Sequence, residues 1–151
     1  MPWTSKKLID SYTIIAEVKN VIANAERLGE HEYAEQAKLR LRKLQGIDDK
    51  EFAEQFERII REYEEFLSEK NGRKTVATYT RRAVKSDGFV ETMVRWALTE
   101  PPADGFLSLV EAEKGHLTAE FLICQFRHYF AANVIEAAER RLLRHKVTPP
   151  E

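Results

Sequence analysis

The sequence has little cysteine, glycine or proline: one, six and five residues respectively among 151. The single thiol, Cys124, excludes an internal disulfide framework and is typical of a reducing compartment. The scarcity of glycine leaves no Gly-rich phosphate loop, and no Pro/Gly/Ser-rich linker divides the chain. We therefore expect one continuous domain over residues 1–151. The alternative is a subdivision near Gly72, with a long-helix bundle at 4–71 and a short-helix subdomain at 73–146.

Long apolar runs are also missing. No stretch approaches about 18 consecutive apolar residues, so no transmembrane span is predicted. The first residues, MPWTSKKLIDSYT, lack the apolar core and cleavage site of a signal peptide. The formal net charge is −1, so the molecule as a whole has no field that attracts DNA or a membrane. We expect a cytoplasmic protein without membrane contact, in which any polyanion site is local.

Charge and helical periodicity are what the sequence has in abundance. Charged residues make up 32% of the chain and hydrophobic residues 43%, a balance that suits long helices with solvated outer faces. Between Leu8 and Leu28 apolar residues recur every three or four positions, which predicts a core-facing helix with Thr4 or Ser5 as its cap. The segment 30–46 repeats the pattern, so an antiparallel αα-hairpin is expected.

A third and longer helix is predicted from Asp48 to the Asn71-Gly72 pair. Its inner face is expected to contain Phe52, Phe56, Ile59, Tyr63 and Phe66. About five shorter helices follow it, and no segment shows the sustained alternation of a β-strand. The predicted fold is therefore all-α, a helical bundle of three long N-terminal helices followed by about five shorter ones.

The segment that most suggests a binding site is NGRKTVATYTRRAVKSDG, residues 71–88. If a helix begins near Thr75 or Thr78, polar side chains recur at i+3 and i+4 on one face. Threonine hydroxyls, arginine guanidiniums and the free N–H groups of a helix start all bind phosphate, and Tyr79 is able to stack on a base. The candidate phosphate- or nucleic-acid-binding residues are Arg73, Lys74, Thr75, Thr78, Arg81, Arg82 and Lys85.

The same residues have a plainer interpretation, in which the basic face is paired with the acidic helix that precedes it. Residues 48–69 contain nine carboxylates against three cations. These acids are close enough in sequence to neutralise the basic residues, which would then form an ordinary solvated helix. The sequence leaves both interpretations open.

Two further basic clusters end predicted helices. Their members are Lys38, Arg40, Arg42 and Lys43 in the second helix, and Arg140, Arg141, Arg144, His145 and Lys146 in the last. The helix macrodipole favours cations near a C-terminus. We therefore expect both clusters to stabilise helix ends rather than bind a ligand.

Catalytic and metal signals are sparse. Cys124 lies in the apolar segment LICQF, where it is expected to fill core space. The pairs His31–Glu35 and Glu113–His116 have the helical spacing of metal ligands, but no second pair completes a coordination shell. The sequence predicts no cofactor, no metal and no catalytic residue.

Two functions follow from these features. The first is a small non-catalytic helical protein that associates with DNA or RNA through phosphate contacts of a local basic helix face. The alternative is a protein–protein interaction module, such as an adaptor, an immunity-type inhibitor or a self-associating homodimer, with no role in nucleic-acid binding. The long acidic helix at 48–69 motivates this alternative. An enzyme that uses histidine, glutamate or Cys124 ranks third.

Overall fold

The computed structural model describes residues 8–150, and all regular secondary structure within them is helical. The α-helices in this range are α1 (Ile15–Arg27), α2 (His31–Leu44), α3 (Lys50–Asn71), α4 (Thr78–Asp87), α5 (Phe89–Leu98), α6 (Asp104–Glu111), α7 (Ala119–Gln125) and α8 (Ala132–Arg144). The all-α prediction is confirmed, and α3 is the longest helix at 22 residues. The last helix, α8, has 13 residues, the same length as α1.

The chain divides into two compact units between Asp49 and Lys50. The first unit contains α1 and α2, and the second contains α3 to α8. Gly72, where the alternative prediction placed a subdivision, lies inside the second unit in the loop after α3. The single-domain interpretation stays a prediction.

The first unit is a helical hairpin. α1 and α2 pack against each other around the buried residues Val18, Val21 and Ala37. The guanidinium of Arg40, late in α2, donates hydrogen bonds of 2.9 and 2.8 Å to the carbonyl of Tyr12, just before α1. The end of α2 therefore lies beside the start of α1, as the predicted antiparallel hairpin requires.

The start of the first helix differs from the prediction. Apolar periodicity suggested a helix from Leu8, but α1 begins at Ile15, after a 3-10 turn at Ile9–Ser11. The serine that ends this turn donates its hydroxyl to the carbonyl of Leu8 at 2.6 Å, a local hydrogen bond that competes with a helix. Thr4 and Ser5, the predicted caps, lie outside the described residues.

The core of the second unit is built on the apolar face of α3. The buried residues of this helix are Phe52, Phe56, Ile59 and Ile60. The ring of Phe52 stacks on those of Phe126 and Tyr129, with centroids 4.5 and 4.6 Å apart, and meets Phe89 edge-on at 4.9 Å. These geometries are favourable for aromatic pairs, so the predicted inner face of the third helix is confirmed at these positions.

Across residues 8–150, no helix has both the length and the apolar character that crossing a bilayer requires.

Candidate nucleic-acid interface

The loop after α3 contains the first predicted site residues and is held by its own hydrogen bonds. Gly72 has a φ of 67°, a left-handed conformation that glycine adopts readily and that turns the chain out of the helix. The backbone N–H groups of Arg73 and Thr75 both bond to Ser68, at 3.2 and 2.8 Å. The Thr75 hydroxyl donates to the Arg73 carbonyl and accepts from the Asn71 amide, both at 3.1 Å. Thr75 therefore holds the loop together.

A carboxylate of α3 lies at the N-terminus of α4. Oε2 of Glu64 accepts the backbone N–H of Ala77, the residue before the helix, at 2.9 Å. The Glu64 side chain is only 14% exposed. Because the free N–H groups and the macrodipole favour an anion at this end of a helix, Glu64 provides from within the unit the charge that the sequence analysis assigned to a phosphate.

Arg81 belongs to the same internal cluster. Its Nε and Nη2 donate to the two oxygens of Glu64 at 2.7 and 2.6 Å, and Nη2 also donates to Glu57 at 3.1 Å. Bidentate contacts of this kind are the strongest arginine–carboxylate geometry. For Arg81 the plainer interpretation of the sequence is therefore the correct one, although its partners are Glu57 and Glu64 among the nine carboxylates of the acidic helix.

The pKa values in this cluster follow from its hydrogen bonds. Hydrogen bonds from Arg81, and to a smaller extent the N–H of Ala77, hold the pKa of Glu64 below its ordinary value against the opposing effect of burial. The hydrogen bonds to Glu64 and then to Glu57 raise the pKa of Arg81. Both groups are therefore charged across the physiological range, and their charges compensate each other.

The other predicted cations have a different environment. Arg73, Lys74, Arg82 and Lys85 are exposed. None of the four is within salt-bridge distance of a carboxylate belonging to residues 8–150. Arg82 and Lys85 are spaced at i, i+3, and the exposed Thr78 precedes Arg82 by four residues, so these three lie in one row on the outer face of α4.

An exposed aromatic ring lies beside this row. Tyr79 is 85% exposed, and the guanidinium carbon of Arg82 lies 5.9 Å from the centroid of its ring. This distance is within the range of a cation–π contact. A tyrosine that leaves most of its ring in solvent next to an arginine presents the two groups on which unpaired bases stack in single-strand-binding proteins.

Residues of the basic cluster at the end of α2 form ion pairs and hydrogen bonds within the first unit. Lys38 pairs with Glu26 at 3.3 Å across the hairpin, and Arg42 pairs with Asp48 at 2.7 Å. Arg40 bonds the carbonyl described above. These contacts agree with the expected stabilising role, which they fulfil through ion pairs and hydrogen bonds in addition to any effect of the helix dipole.

One residue of the α8 cluster has a role that the sequence analysis missed. Arg141 was expected to stabilise the helix end, yet it is only 2% exposed and its Nη1 donates to the buried Glu120 at 2.8 Å. The same guanidinium donates to the backbone carbonyls of Trp96 and Thr99. Arg141 thus forms a buried ion pair that joins α8 to α7 and to the C-terminal end of α5.

The remaining candidates for chemistry are Cys124 and the two metal-like pairs. Cys124 is buried, as predicted, and burial raises the pKa of its thiol to about 11, which disfavours the nucleophilic thiolate. The residues of both metal-like pairs, His31 with Glu35 and Glu113 with His116, are exposed. Within the part of the chain that the structure describes, no three histidine, cysteine or acidic side chains are arranged to hold a metal ion.

Comparison with known proteins adds no functional assignment. No protein-family model matches the chain, no curated protein is significantly similar in sequence, and no solved structure matches the fold.

Proposed function

We propose that the outer face of α4, together with the loop before it, binds the phosphate backbone of single-stranded nucleic acid. The observation that supports this most strongly is the row of exposed cations at Arg82 and Lys85, which have no ion-pair partner among residues 8–150 and lie beside the exposed ring of Tyr79. The cations contact phosphates, and the ring stacks on an unpaired base. Because a base inside a duplex has no free face, the proposal favours single strands.

Local charge supports the same function. Residues 71–86 contain five cations and no carboxylate. Arg81 is compensated by Glu57 and Glu64, so five positive charges stand against two negative ones here, in a chain whose net charge is −1. Attraction is therefore short in range and sensitive to salt. Contacts to phosphate carry little sequence information, so the expected binding is weak in sequence preference.

The seven residues predicted from the sequence divide into two groups in this proposal. Arg81 and Thr75 are positioning residues, because one fastens α4 to α3 and the other closes the loop. The residues that contact the ligand are Arg73, Lys74, Thr78, Arg82 and Lys85.

Fluorescence anisotropy with labelled oligothymidine and oligouridine at low ionic strength tests the proposal. We expect the double variant Arg82→Ala/Lys85→Ala to bind both more weakly, and to lower the slope of log K against log salt by about 1.4, or about 0.7 for each lost contact. The matched control is Arg58→Ala/Arg61→Ala, which removes the same charge from exposed positions of α3 and should leave the slope unchanged.

Two substitutions of Tyr79 measure how much its aromatic ring contributes to single-strand binding. Tyr79→Ala should weaken single-strand binding by about 1–3 kcal/mol, whereas Tyr79→Phe, which keeps the ring, should bind like the unsubstituted protein. Absence of any anisotropy change with either oligonucleotide would overturn the proposal. Equal losses in the α3 control would also overturn it, since binding would then follow net charge alone.

The interaction-module alternative is tested on the same samples by light scattering. Its motivation was the acidic surface of α3, but Glu57 and Glu64 bond to Arg81 and so belong to the internal structure of the second unit. A concentration-dependent dimer that Arg82→Ala/Lys85→Ala leaves intact, together with no oligonucleotide binding, would favour the alternative.

A further inference from the structure

The second unit contains a cavity of about 120 Å³. Its walls come from α3 to α7 and from the segments next to α6 and α7. The aromatic side chains that line it are Tyr63, Trp96 and Phe106. Phe106 is buried, whereas Tyr63 and Trp96 are partly exposed and Ala103 is exposed, so these last three residues bound the mouth. We propose that this cavity binds a small organic ammonium ion.

One charged side chain, that of Glu120, belongs to the lining. Glu120 is 3% exposed. Its Oε2 accepts the hydrogen bond from Arg141, while its Oε1 accepts none from residues 8–150. A carboxylate oxygen without a donor has free capacity to accept a hydrogen bond or an ion pair from a ligand. A cation that enters the cavity provides that partner.

The charges around the cavity determine the sign of the ligand. The Arg141 guanidinium is shared by two carboxylates, because Nη2 also donates to Glu100 at 3.2 Å. Burial and then the charge of Asp104 raise the pKa of Tyr63, whose ring lines the wall. Of these charged groups Glu120 lines the cavity. Because Arg141 is shared with Glu100, the charge of Glu120 is only partly compensated, which favours a cationic ligand over an anionic one.

The aromatic rings favour the same sign. The face of an aromatic ring attracts a cation, and several such rings bind ammonium ligands in proteins. The Arg141 guanidinium already lies 5.8 Å from the centroid of Phe106, so the rings left for a ligand are those of Tyr63 and Trp96. The volume limits what can enter, because this cavity is smaller than the cavity of about 150 Å³ that holds benzene, so only the ammonium head of a ligand fits inside it. The ligand class is therefore a compact alkylammonium group, carried by a free molecule or by the end of a long side chain such as trimethyllysine.

Isothermal titration of the full chain with choline tests the proposal. The control ligand is 3,3-dimethylbutan-1-ol, which has the shape of choline without its charge. We expect choline to bind and the neutral alcohol to bind about tenfold or more weakly. A peptide that contains trimethyllysine distinguishes the two sources: tighter binding than choline indicates a side-chain ligand, and weaker binding indicates a free ion.

Gly105→Ala locates the ligand in the cavity. A Cβ at this position would lie 3.1 Å from the Tyr63 ring, so the substitution narrows the cavity and leaves the Glu120–Arg141 pair in place. The control is Leu107→Ala, which changes an exposed residue of the same helix. We expect Gly105→Ala to weaken choline binding at least about tenfold, while Leu107→Ala and Arg82→Ala/Lys85→Ala leave it unchanged.

A second variant, Trp96→Leu, removes one ring and keeps the backbone carbonyl that bonds Arg141. It should also weaken choline binding, and thermal unfolding of both variants verifies that they are folded. Equal affinity for choline and the neutral alcohol would overturn the proposal. Full choline affinity in both folded variants would overturn it as well.

Discussion

Arg81 and Arg82 are consecutive residues of the same type with opposite environments. Arg81 bonds Glu57 and Glu64, while Arg82 is exposed beside Tyr79. Neighbours on an α-helix point about 100° apart, given 3.6 residues per turn. The sequence analysis placed both on one face, and the structure assigns the first to the interior side of α4.

We predict that Glu64→Gln destabilises the protein by about 1–3 kcal/mol at neutral pH, because glutamine keeps the shape of the side chain but loses the charge that Arg81 bonds. Urea unfolding followed by tryptophan fluorescence measures the change. Glu65→Gln, at the exposed neighbouring position, is the control and should stay within about 0.5 kcal/mol of the unsubstituted protein.

The stability difference between the unsubstituted protein and Glu64→Gln should depend on pH in one direction. The pKa of Glu64 is lowered in the folded state, so its contribution to stability is present above the pKa of the unfolded chain and is lost as the pH falls below about 5. The stability difference between the unsubstituted protein and Glu64→Gln should therefore shrink on acidification. A difference that stays constant down to the acid transition would contradict this assignment.

The sequence pattern around Arg141 indicates that this residue is buried but does not identify its partner. With Val134, Ala138 and Leu142 it follows the i, i+4, i+7, i+8 spacing of the buried face of α8. A charged residue at such a position indicates a buried partner, since an unpaired charge is not stable there. The identity of the partner depends on tertiary packing, because Glu120 lies 21 residues away.

At the scale of elements, helix type was predicted well and helix boundaries less well. Periodicity identified the hairpin and the long aromatic helix, because apolar residues at a spacing of three to four have one favourable arrangement. The first helix was predicted with its cap at Thr4 or Ser5, but α1 begins at Ile15, after a turn in which a serine side chain bonds the backbone locally. The binding face of α4 was only partly predictable, since its orientation depends on the carboxylates of α3.

The two adjacent leucines of α8 test the orientation of that helix. Leu142 is fully buried and Leu143 is 62% exposed. We predict that Leu142→Ala destabilises the protein by about 2–5 kcal/mol through lost burial and a residual cavity, while Leu143→Ala changes stability by less than about 0.5 kcal/mol. Urea unfolding compares the two, and similar losses would show that the buried stripe of α8 is misassigned.

At the scale of the whole molecule, the division between Asp49 and Lys50 was not predicted. The sequence contains no Pro/Gly/Ser-rich linker there, and composition does not reveal which helix faces pair. In the structure each unit has its own buried residues, with Val18 and Val21 in the first and Phe52 and Phe56 in the second.

Native-state hydrogen exchange tests whether the two units are also separate in stability. Val21→Ala should weaken the first unit by about 2 kcal/mol. We predict faster exchange of amides in α1 and α2, with exchange in α5 and α8 unchanged, because contiguous compact regions open as cooperative units. The reciprocal substitution, Leu142→Ala, should affect α5, α7 and α8. Equal acceleration in both units by either variant would show a single cooperative domain.

The ion pair between Glu64 and Arg81 affects both the stability of the protein and the proposed binding of a polyanion. Glu64 holds α4 in place, and by the same contact it compensates the positive charge of Arg81. Loss of the Glu64 charge would leave Arg81 paired with Glu57 alone, which adds positive charge to the proposed interface and weakens the attachment of α4 to α3. One substitution of Glu64 would then strengthen polyanion binding and lower the melting temperature. This carboxylate therefore increases stability at the expense of affinity.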